Sequence, residues 1–207
     1  MSRAENGSAF RLLLISPPET TAAELPTLVQ LFEAGLQTFH LRKPGASAAA
    51  VEAYLQAVPQ QYHGRIVLHA HYPLAQRYPV GGLHLPAAAR SAWAAQAHLR
   101  QPSHTLSTSL HSLAELRQHR RRYSYVLLSP IFDSISKQGY GQAFDLAEVQ
   151  HELRQLRQRE RYVPQVVALG GITADNVAQV RAAGFAGAAV LGSVWQAADP
   201  VAVFRQL

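Results

Sequence analysis

The chain has 207 residues, of which 48% are hydrophobic and 15% charged, which is enough apolar material for one domain with a full core. It contains no cysteine, and this excludes disulfides, thiolate metal sites and cysteine nucleophiles. The net charge is +6. The arginines concentrate in two helix-like stretches, 117–122 and 154–161, without an aromatic platform or a DNA-binding motif. We therefore expect solvated helix faces and no nucleic-acid partner, with weak polyanion binding as the alternative.

Neither the beginning of the chain nor its interior carries a membrane signal. The first ten residues, MSRAENGSAF, are polar and lack an apolar segment of signal-peptide length. No apolar run elsewhere is long enough to span a bilayer. The sequence therefore predicts a cytoplasmic protein without a membrane partner.

Short apolar runs alternate with helix-length segments along the whole chain. The predicted strands are Arg11–Ser16, Gln37–Arg42, Arg65–His71, Gly82–Leu85, His104–Ser109, Tyr125–Ser129 and two runs that stop at Gly170 and Gly192. The predicted helices are Ala22–Ala34, Ala46–Val58, a short helix after Pro73, Ala87–Arg100, His111–His119, Leu146–Arg157, the segment 172–184 and a partial helix at Val201–Leu207. Eight alternations predict an α/β fold, a (β/α)8 TIM barrel formed by residues 1–207 as a single domain.

The last two strands each stop at a glycine, where the chain opens into a loop. Glycines at Gly170 and Gly192 let backbone N–H groups approach an anion, and a helix that starts just behind them turns its positive end toward it. In such barrels, the loops after the seventh and eighth strands are the usual phosphate site. The first hypothesis is a phosphorylated small molecule; the alternative is an α/β crossover with tight-turn glycines.

Polar side chains occupy the carboxyl ends of the other strands, where barrel enzymes have their active sites. His40 and Arg42 are expected to share one strand face, and His69 and His71 another, because side chains alternate along a strand. Arg42 offers a bidentate clamp for an anion. The long loop 133–140 is a candidate lid that carries Ser134, Ser136 and Lys137.

The histidines permit two interpretations. A His-x-His pair on a strand can bind zinc when a third ligand converges, and His84 could supply it, but no carboxylate stands nearby in sequence to orient the set. We therefore predict no metal site. Acid–base catalysis by His40, His69, His71 or His84 is favoured, with an apparent pKa of about 6 to 7. His63, His98, His104, His119 and His151 are expected at surface or helix positions and are given no role.

Six segments together resemble a known family. The segments are TFHLRKP, RIVLHAHYPLA with GLHL, STSLHSLAEL, YVLLSPIFDSISK, VVALGGITADNV and GAAVLGSVW. In this order, from about Leu12 to Trp195, they resemble the signature blocks of the thiamine phosphate synthase and TenI-like thiazole tautomerase family. The resemblance implies a β/α barrel that handles the thiazole phosphate of thiamine biosynthesis. Synthase members join it to a pyrimidine pyrophosphate with magnesium and release pyrophosphate.

The resemblance also implies roles for individual residues. The positions that match the thiazole phosphate site are Gly170, Gly171, Gly192 and Ser193. Arg42 and Lys137 match the cations near the pyrophosphate, and Ser109 matches the serine of an S-x-H block. Ser134 and Ser136 replace threonines of the synthase loop. His40 stands where synthases usually have glutamine.

Three departures limit what the resemblance implies. Synthases have Asn-Asp after the third strand, where this chain has His69 and Ala70, and a second acidic residue after the fourth strand, where it has Pro86–Ala89. Both magnesium carboxylates are therefore missing, and alanine offers no oxygen ligand. Tautomerases have a histidine after the sixth strand, where this chain has Pro130.

Three interpretations follow from these matches and departures. The favoured one is a metal-independent tautomerase that moves protons on the thiazole phosphate through relocated histidines. The second is a divergent synthase, with the pyrimidine pyrophosphate as a further substrate and Mg²⁺ in a rebuilt site. The third is a ligand-binding or regulatory barrel that binds a phosphorylated ligand and has no catalytic activity. The oligomeric state stays open, with a homodimer as one alternative.

Overall fold

Eight parallel strands form a closed barrel in chain order. The computed structural model describes residues 9–133, 144–159 and 162–207. The strands are β1 (Arg11–Ile15), β2 (Thr38–Leu41), β3 (Ile66–Leu68), β4 (Gly82–Leu85), β5 (Thr105–Leu110), β6 (Tyr125–Leu128), β7 (Gln165–Leu169) and β8 (Gly187–Val190). Each strand pairs with the next, and β8 closes onto β1. The predicted (β/α)8 barrel is confirmed.

Helices cover the outside of the barrel. They are α1 (Glu24–Glu33), α2 (Ala48–Ala57), α3 (Ala87–Arg90), α4 (Trp93–Gln96), α5 (Leu113–Gln118), α6 (Leu146–Arg157), α7 (Val177–Ala182), α8 (Gly192–Trp195) and α9 (Pro200–Gln206). Short 3-10 helices lie at Gln60–Arg65, Tyr72–Gln76 and Ala97–Leu99. Among the helices in these ranges, none is long and apolar enough to cross a membrane.

Side-chain caps fix where four of these helices begin. At each of them a side-chain oxygen accepts a hydrogen bond from a backbone N–H of the first turn, which would otherwise lack a partner. The capping residues are Ser47, Ser112, Asp145 and Asp199. The polar residue just before each apolar helical segment therefore sets its start.

Two predicted elements are shorter than expected. The third strand ends at Leu68 instead of His71, because the chain turns into a left-handed conformation at His71 and a 3-10 helix follows. The predicted helix 87–100 is divided into three short pieces, in which Trp93 and Leu99 are the buried residues. An alanine-rich segment buries little apolar area, so packing does not favour a long continuous helix there.

The inside of the barrel has an apolar half and a polar half. The apolar half comes from β1, β6, β7 and β8; its buried residues are Leu13, Ile15, Tyr125, Leu127, Val167 and Ala189. On β2, β4 and β5 the corresponding inward positions hold His40, His84 and Ser107, which are all buried. A larger core lies between the strands and the surrounding helices. The barrel thus has a polar sector on β2 to β5.

Candidate active site at the carboxyl ends of the strands

Three histidines converge in the polar sector. His40 lies on β2, His69 directly follows β3, and His84 lies on β4. Each offers a ring nitrogen within 4.8 Å of the others. In the described part of the chain, this is the one group of three or more side chains so arranged. Adjacent strands of the barrel therefore bring together three of the four predicted catalytic histidines.

His40 joins His69 to the barrel interior. His40 Nδ1 lies 2.8 Å from His69 Nε2, and His40 Nε2 lies 2.6 Å from the hydroxyl of Tyr125. His40 and Tyr125 are buried, whereas His69 is partly exposed. The three side chains form a continuous hydrogen-bonded chain from the barrel interior to the mouth, and we call it the His69–His40–Tyr125 chain.

His84 is held by two hydroxyls of β5. Its Nδ1 lies 2.9 Å from Ser107 Oγ, and its Nε2 lies 3.1 Å from Ser109 Oγ. The rings of His84 and His69 stack with their centroids 4.2 Å apart and their planes 20° from parallel. Ser109, predicted as a substrate contact, therefore lies beside the histidine cluster.

Burial keeps the clustered imidazoles neutral. It lowers the pKa of His40 to about 3. Burial is also the main reason why the pKa values of His69 and His84 lie well below the ordinary value, and the neighbouring imidazoles and the Arg42 guanidinium lower them further. The sequence-based expectation of a histidine pKa near 6 to 7 is wrong for these three residues, because the barrel removes them from water.

His71 does not join the cluster. Its backbone has a positive φ of 54°, and its Nε2 lies 2.8 Å from the carbonyl oxygen of Ala46. The prediction that His69 and His71 share a strand face is wrong, because β3 ends at Leu68 and the alternation of side chains ends with it. His71 contacts the loop before α2 instead.

Arg42 lies at the end of β2 with an exposed side chain. The Ser16 hydroxyl accepts from its backbone N–H and donates to its carbonyl oxygen, at 2.8 Å in both cases. The side chain of the neighbouring Lys43 is only 5% exposed: its Nζ lies 2.6 Å from Glu24 Oε2 and also donates to two backbone carbonyls of the loop after β1. The backbone of Arg42 is thus fixed while its guanidinium faces solvent.

The glycines after β7 have a packing role. Gly170 and Gly171 have positive φ values of 104° and 62°. A Cβ on Gly171 would lie 2.6 Å from the carbonyl oxygen of Asp133, and one on Gly170 would lie 3.0 Å from Pro130 Cα. Both positions therefore require glycine because the segment after β6 packs against them. Whether they also hold a phosphate stays a prediction.

The loop after β8 contains an unpaired polar atom. Gly192 and Ser193 begin α8, and within the described residues the buried Ser193 Oγ has no hydrogen-bond partner. A buried hydroxyl without a partner costs free energy unless a ligand or water satisfies it. Ser134, Ser136 and Lys137, together with most of the candidate lid, lie outside the described residues.

The side chains of the polar sector do not fit Mg²⁺. The segments that follow β3 and β4, His69-Ala70 and Pro86–Ala89, contain no carboxylate, and the clustered donors are imidazole nitrogens. Mg²⁺ requires oxygen ligands in near-octahedral geometry. The histidine cluster is therefore not a site for this ion.

Sequence reasoning missed Tyr125 and Ser107. Tyr125 begins β6, yet its hydroxyl contacts His40 on β2, on the far side of the barrel interior. Alternation along YVLLS places Tyr125 on the same face as Leu127, but only the closed barrel shows that this face meets His40. Ser107 shares a strand face with the predicted Ser109, so alternation along β5 could have identified it.

Comparisons with known proteins point to one family. A family model described as thiamine monophosphate synthase matches residues 12–194. A thiamine-phosphate synthase of Methylobacillus flagellatus is 30% identical over 200 residues, which cover 94% of this chain and 92% of the relative. One of Latilactobacillus sakei is 29% identical over 195 residues, with coverages of 89% and 84%.

Solved structures agree with the sequence relatives. The crystal structure of thiamine phosphate pyrophosphorylase from Bacteroides thetaiotaomicron superposes with a TM-score of 0.75 at 29% identity and covers 95% of both chains. A 3-hexulose-6-phosphate synthase superposes with a TM-score of 0.64 at 17% identity, which supports the barrel fold alone. Since the family model spans nearly the whole chain and the relatives align over most of their length, the protein belongs to the thiamine monophosphate synthase family.

Proposed function

We propose that this protein is an enzyme of thiamine biosynthesis that transfers protons on a thiazole phosphate, as a tautomerase does. The observation that carries the proposal is the His69–His40–Tyr125 chain, which ends in a partly exposed, neutral imidazole at the mouth of the barrel. A tautomerisation removes a proton from one atom and returns one to another. It therefore needs positioned acid–base groups and neither an oxidant nor a pyrophosphate leaving group.

In this proposal His69 is the residue that contacts the substrate. Its neutral ring accepts a proton at Nδ1, in the tautomer whose Nε2–H donates to His40 Nδ1 while His40 Nε2–H donates to the Tyr125 hydroxyl oxygen. His40 in turn is held by the hydroxyl of Tyr125, which stays protonated because burial raises the pKa of this phenol to about 12. An anionic substrate beside His69 raises the stability of the imidazolium, which offsets part of the effect of burial.

Anchoring of the substrate phosphate is proposed for the loops after β7 and β8. The unpaired Ser193 Oγ and the backbone at Gly192 support this assignment, and Arg42 supplies a cation at the same end of the barrel. We expect Gly192→Asp to weaken the binding of thiazole phosphate by at least about tenfold, because the carboxylate repels the phosphate. Isothermal titration calorimetry measures the affinity for thiazole phosphate, and Asp199→Asn, which alters a helix cap further along the chain, is the control. Unchanged affinity in Gly192→Asp would refute the anchoring site.

The decisive assay is isotope exchange on the thiazole carboxylate phosphate in D2O, with a chelator present and followed by NMR. We expect exchange in the wild type and a loss of about 10² to 10⁴-fold in His69→Gln, the usual contribution of an acid–base group. His71→Asn is the matched control, because its ring lies outside the cluster and asparagine tolerates a positive φ. Equal rates in His69→Gln and His71→Asn would contradict the proposal.

A second candidate is thiamine phosphate synthesis from thiazole phosphate and pyrimidine pyrophosphate. The observation in its favour is that the relatives aligned with most of this chain are named thiamine-phosphate synthase. The test is product formation from both substrates, with magnesium and with a chelator. Product in this assay and no exchange in D2O would select the synthase, whereas binding without either reaction would select a non-catalytic barrel.

A further inference from the structure

The cluster of His40, His69 and His84 has the composition of a transition-metal site. The three ligand atoms lie within 4.8 Å of one another and come from three neighbouring strand positions of the barrel. We infer that these three histidines bind one divalent ion of the zinc class, such as Zn²⁺ or Co²⁺. The inference goes beyond the proposed proton transfer, because it concerns the affinity of the substrate-free protein for a metal.

Hydrogen bonds define which ring nitrogens face the ion. His40 Nε2 is engaged by the Tyr125 hydroxyl at 2.6 Å, and His84 Nδ1 by Ser107 Oγ at 2.9 Å. The nitrogens assigned to the ion are His40 Nδ1, the His69 nitrogen that lies 2.8 Å from it, and His84 Nε2, which exchanges its contact with Ser109 Oγ for the ion. Histidines that bind metals characteristically use their second nitrogen for such a partner, which fixes the ring and its tautomer. Two of the three histidines therefore already have their orienting groups.

The spacing of the rings requires one local adjustment. Two nitrogens bound to a tetrahedral zinc ion lie about 3.3 Å apart, given Zn–N bonds of about 2.0 to 2.1 Å. The His40–His69 distance of 2.8 Å is shorter, and His69 stacks on His84 with their ring centroids 4.2 Å apart. His69 has to rotate out of this stack to bind. It is the partly exposed member and lies just beyond β3, so this rotation does not disturb the strand.

The donor set selects the class of ion. Three imidazoles without a carboxylate favour Zn²⁺, Co²⁺, Ni²⁺ or Cu²⁺ over Mg²⁺. Burial also keeps the rings unprotonated at neutral pH, which is the form that binds a metal. Three protein ligands leave a fourth position open for water or a substrate atom, and Ser109 Oγ, 3.1 Å from His84 Nε2, lies beside it.

Occupancy of the site has a consequence for the proposed reaction. An ion bound at the cluster separates His69 from His40 and so interrupts the hydrogen-bonded chain to Tyr125. Proton transfer through that chain then occurs only in the metal-free protein. Because metal binding is measured without substrate, its failure leaves the proton-transfer proposal intact, and a failed exchange assay leaves the metal site intact.

The test is titration of the chelator-stripped full chain with Co²⁺, whose visible absorption reports tetrahedral coordination, followed by displacement with Zn²⁺ in calorimetry. We expect one ion per chain, no displacement by Mg²⁺, and a loss of affinity of at least about 100-fold in His69→Gln and in His84→Gln. Tyr125→Phe keeps all three ligands and should weaken binding about 10 to 100-fold through the lost orienting hydroxyl. His71→Asn, a nearby histidine outside the cluster, is the matched control.

Two results would overturn the inference. One is the absence of a tetrahedral Co²⁺ spectrum at any ratio of metal to protein. The other is a spectrum that survives in His69→Gln and His84→Gln, since binding would then reside on exposed histidines. Circular dichroism verifies that each variant is folded. If His84→Gln is not folded, His69→Gln and Tyr125→Phe decide, because both keep the hydrogen bonds of His84 to Ser107 and Ser109.

Discussion

At the scale of single residues, the buried ion pair of Lys43 and Glu24 has the largest predicted effect on stability. The two side chains are 5% and 0% exposed, and Glu24 also accepts a hydrogen bond from Tyr54 at 2.8 Å. We expect Lys43→Met to lower the free energy of unfolding by about 3 to 5 kcal/mol, because it leaves an unpaired buried carboxylate. Urea denaturation measures this difference.

The double variant separates the charge from the packing. Glu24→Gln in the Lys43→Met background removes the buried charge but keeps an acceptor for Tyr54, so we expect stability to recover in part. Arg117→Met, which removes an ion pair with Glu152 at the surface, should leave the denaturation midpoint nearly unchanged. If Lys43→Met behaved like Arg117→Met, the pair would not stabilise the loops at the mouth.

The histidines show what a sequence can predict at this scale. The sequence predicts His40 and His84 as site residues because they lie near the carboxyl ends of strands, where barrel enzymes have their active sites. That prediction requires only the assignment of the strands. The position of His71 was predicted wrongly, because the end of a strand depends on the turn that follows it. The contact of Tyr125 with His40 joins residues 85 positions apart, and no local pattern predicts it.

At the scale of elements, two glycines with positive φ differ in how closely other atoms approach them: Gly35 lies between α1 and β2, and Gly171 follows β7. Gly35 has a positive φ of 110° but nothing within 4 Å of an added Cβ, whereas Gly171 combines a positive φ with a contact of 2.6 Å to the Asp133 carbonyl. We expect Gly35→Ala to cost about 1 kcal/mol and Gly171→Ala on the order of 3 kcal/mol in the free energy of unfolding. Chemical denaturation of both variants checks the difference.

The comparison between these variants tests the packing of the segment after β6 on the β7 loop. Equal losses of stability for Gly171→Ala and Gly35→Ala would show that only the backbone conformation matters at Gly171. The same loop explains a limit of sequence analysis: its glycines were expected at an anion site, yet their surroundings, Pro130 to Asp133, come from another element. A glycine indicates that another group approaches the backbone closely, but the sequence alone does not identify that group.

At the scale of the whole molecule, the barrel interior divides into two sectors with different tasks. The apolar sector on β1, β6, β7 and β8 supplies hydrophobic burial, and the polar sector on β2 to β5 holds the histidines. The alternating pattern of eight strands and helices predicted the barrel itself, because each unit repeats the same local signals. The division into sectors was not predicted, because it depends on which strands become neighbours when the barrel closes.

The polar sector makes the stability of the molecule depend on pH. His40, His69 and His84 have pKa values in the folded state below that of an exposed histidine, which is about 6.5, so the unfolded chain binds more protons as the pH falls. Their contribution is therefore fully present above pH 6.5 and is lost as the pH falls toward the folded-state values. His104 and His119, whose pKa values are lowered mainly by burial, act in the same direction.

We expect the free energy of unfolding to fall between pH 7 and pH 5, with about 2 kcal/mol from His40, whose folded-state pKa of about 3 lies below this range, and further losses in the same direction from His69 and His84. Urea denaturation at both pH values, with a chelator to keep the cluster free of metal, measures the loss. In His69→Gln one buried titrating group is gone, so the loss should be smaller than in the wild type; His98→Gln, which alters an exposed ring outside the cluster, is the control. A stability that stays constant from pH 7 to pH 5 would mean that water reaches the cluster and that its imidazoles titrate like free histidine, which would remove the physical basis for a neutral His69 at the mouth of the barrel.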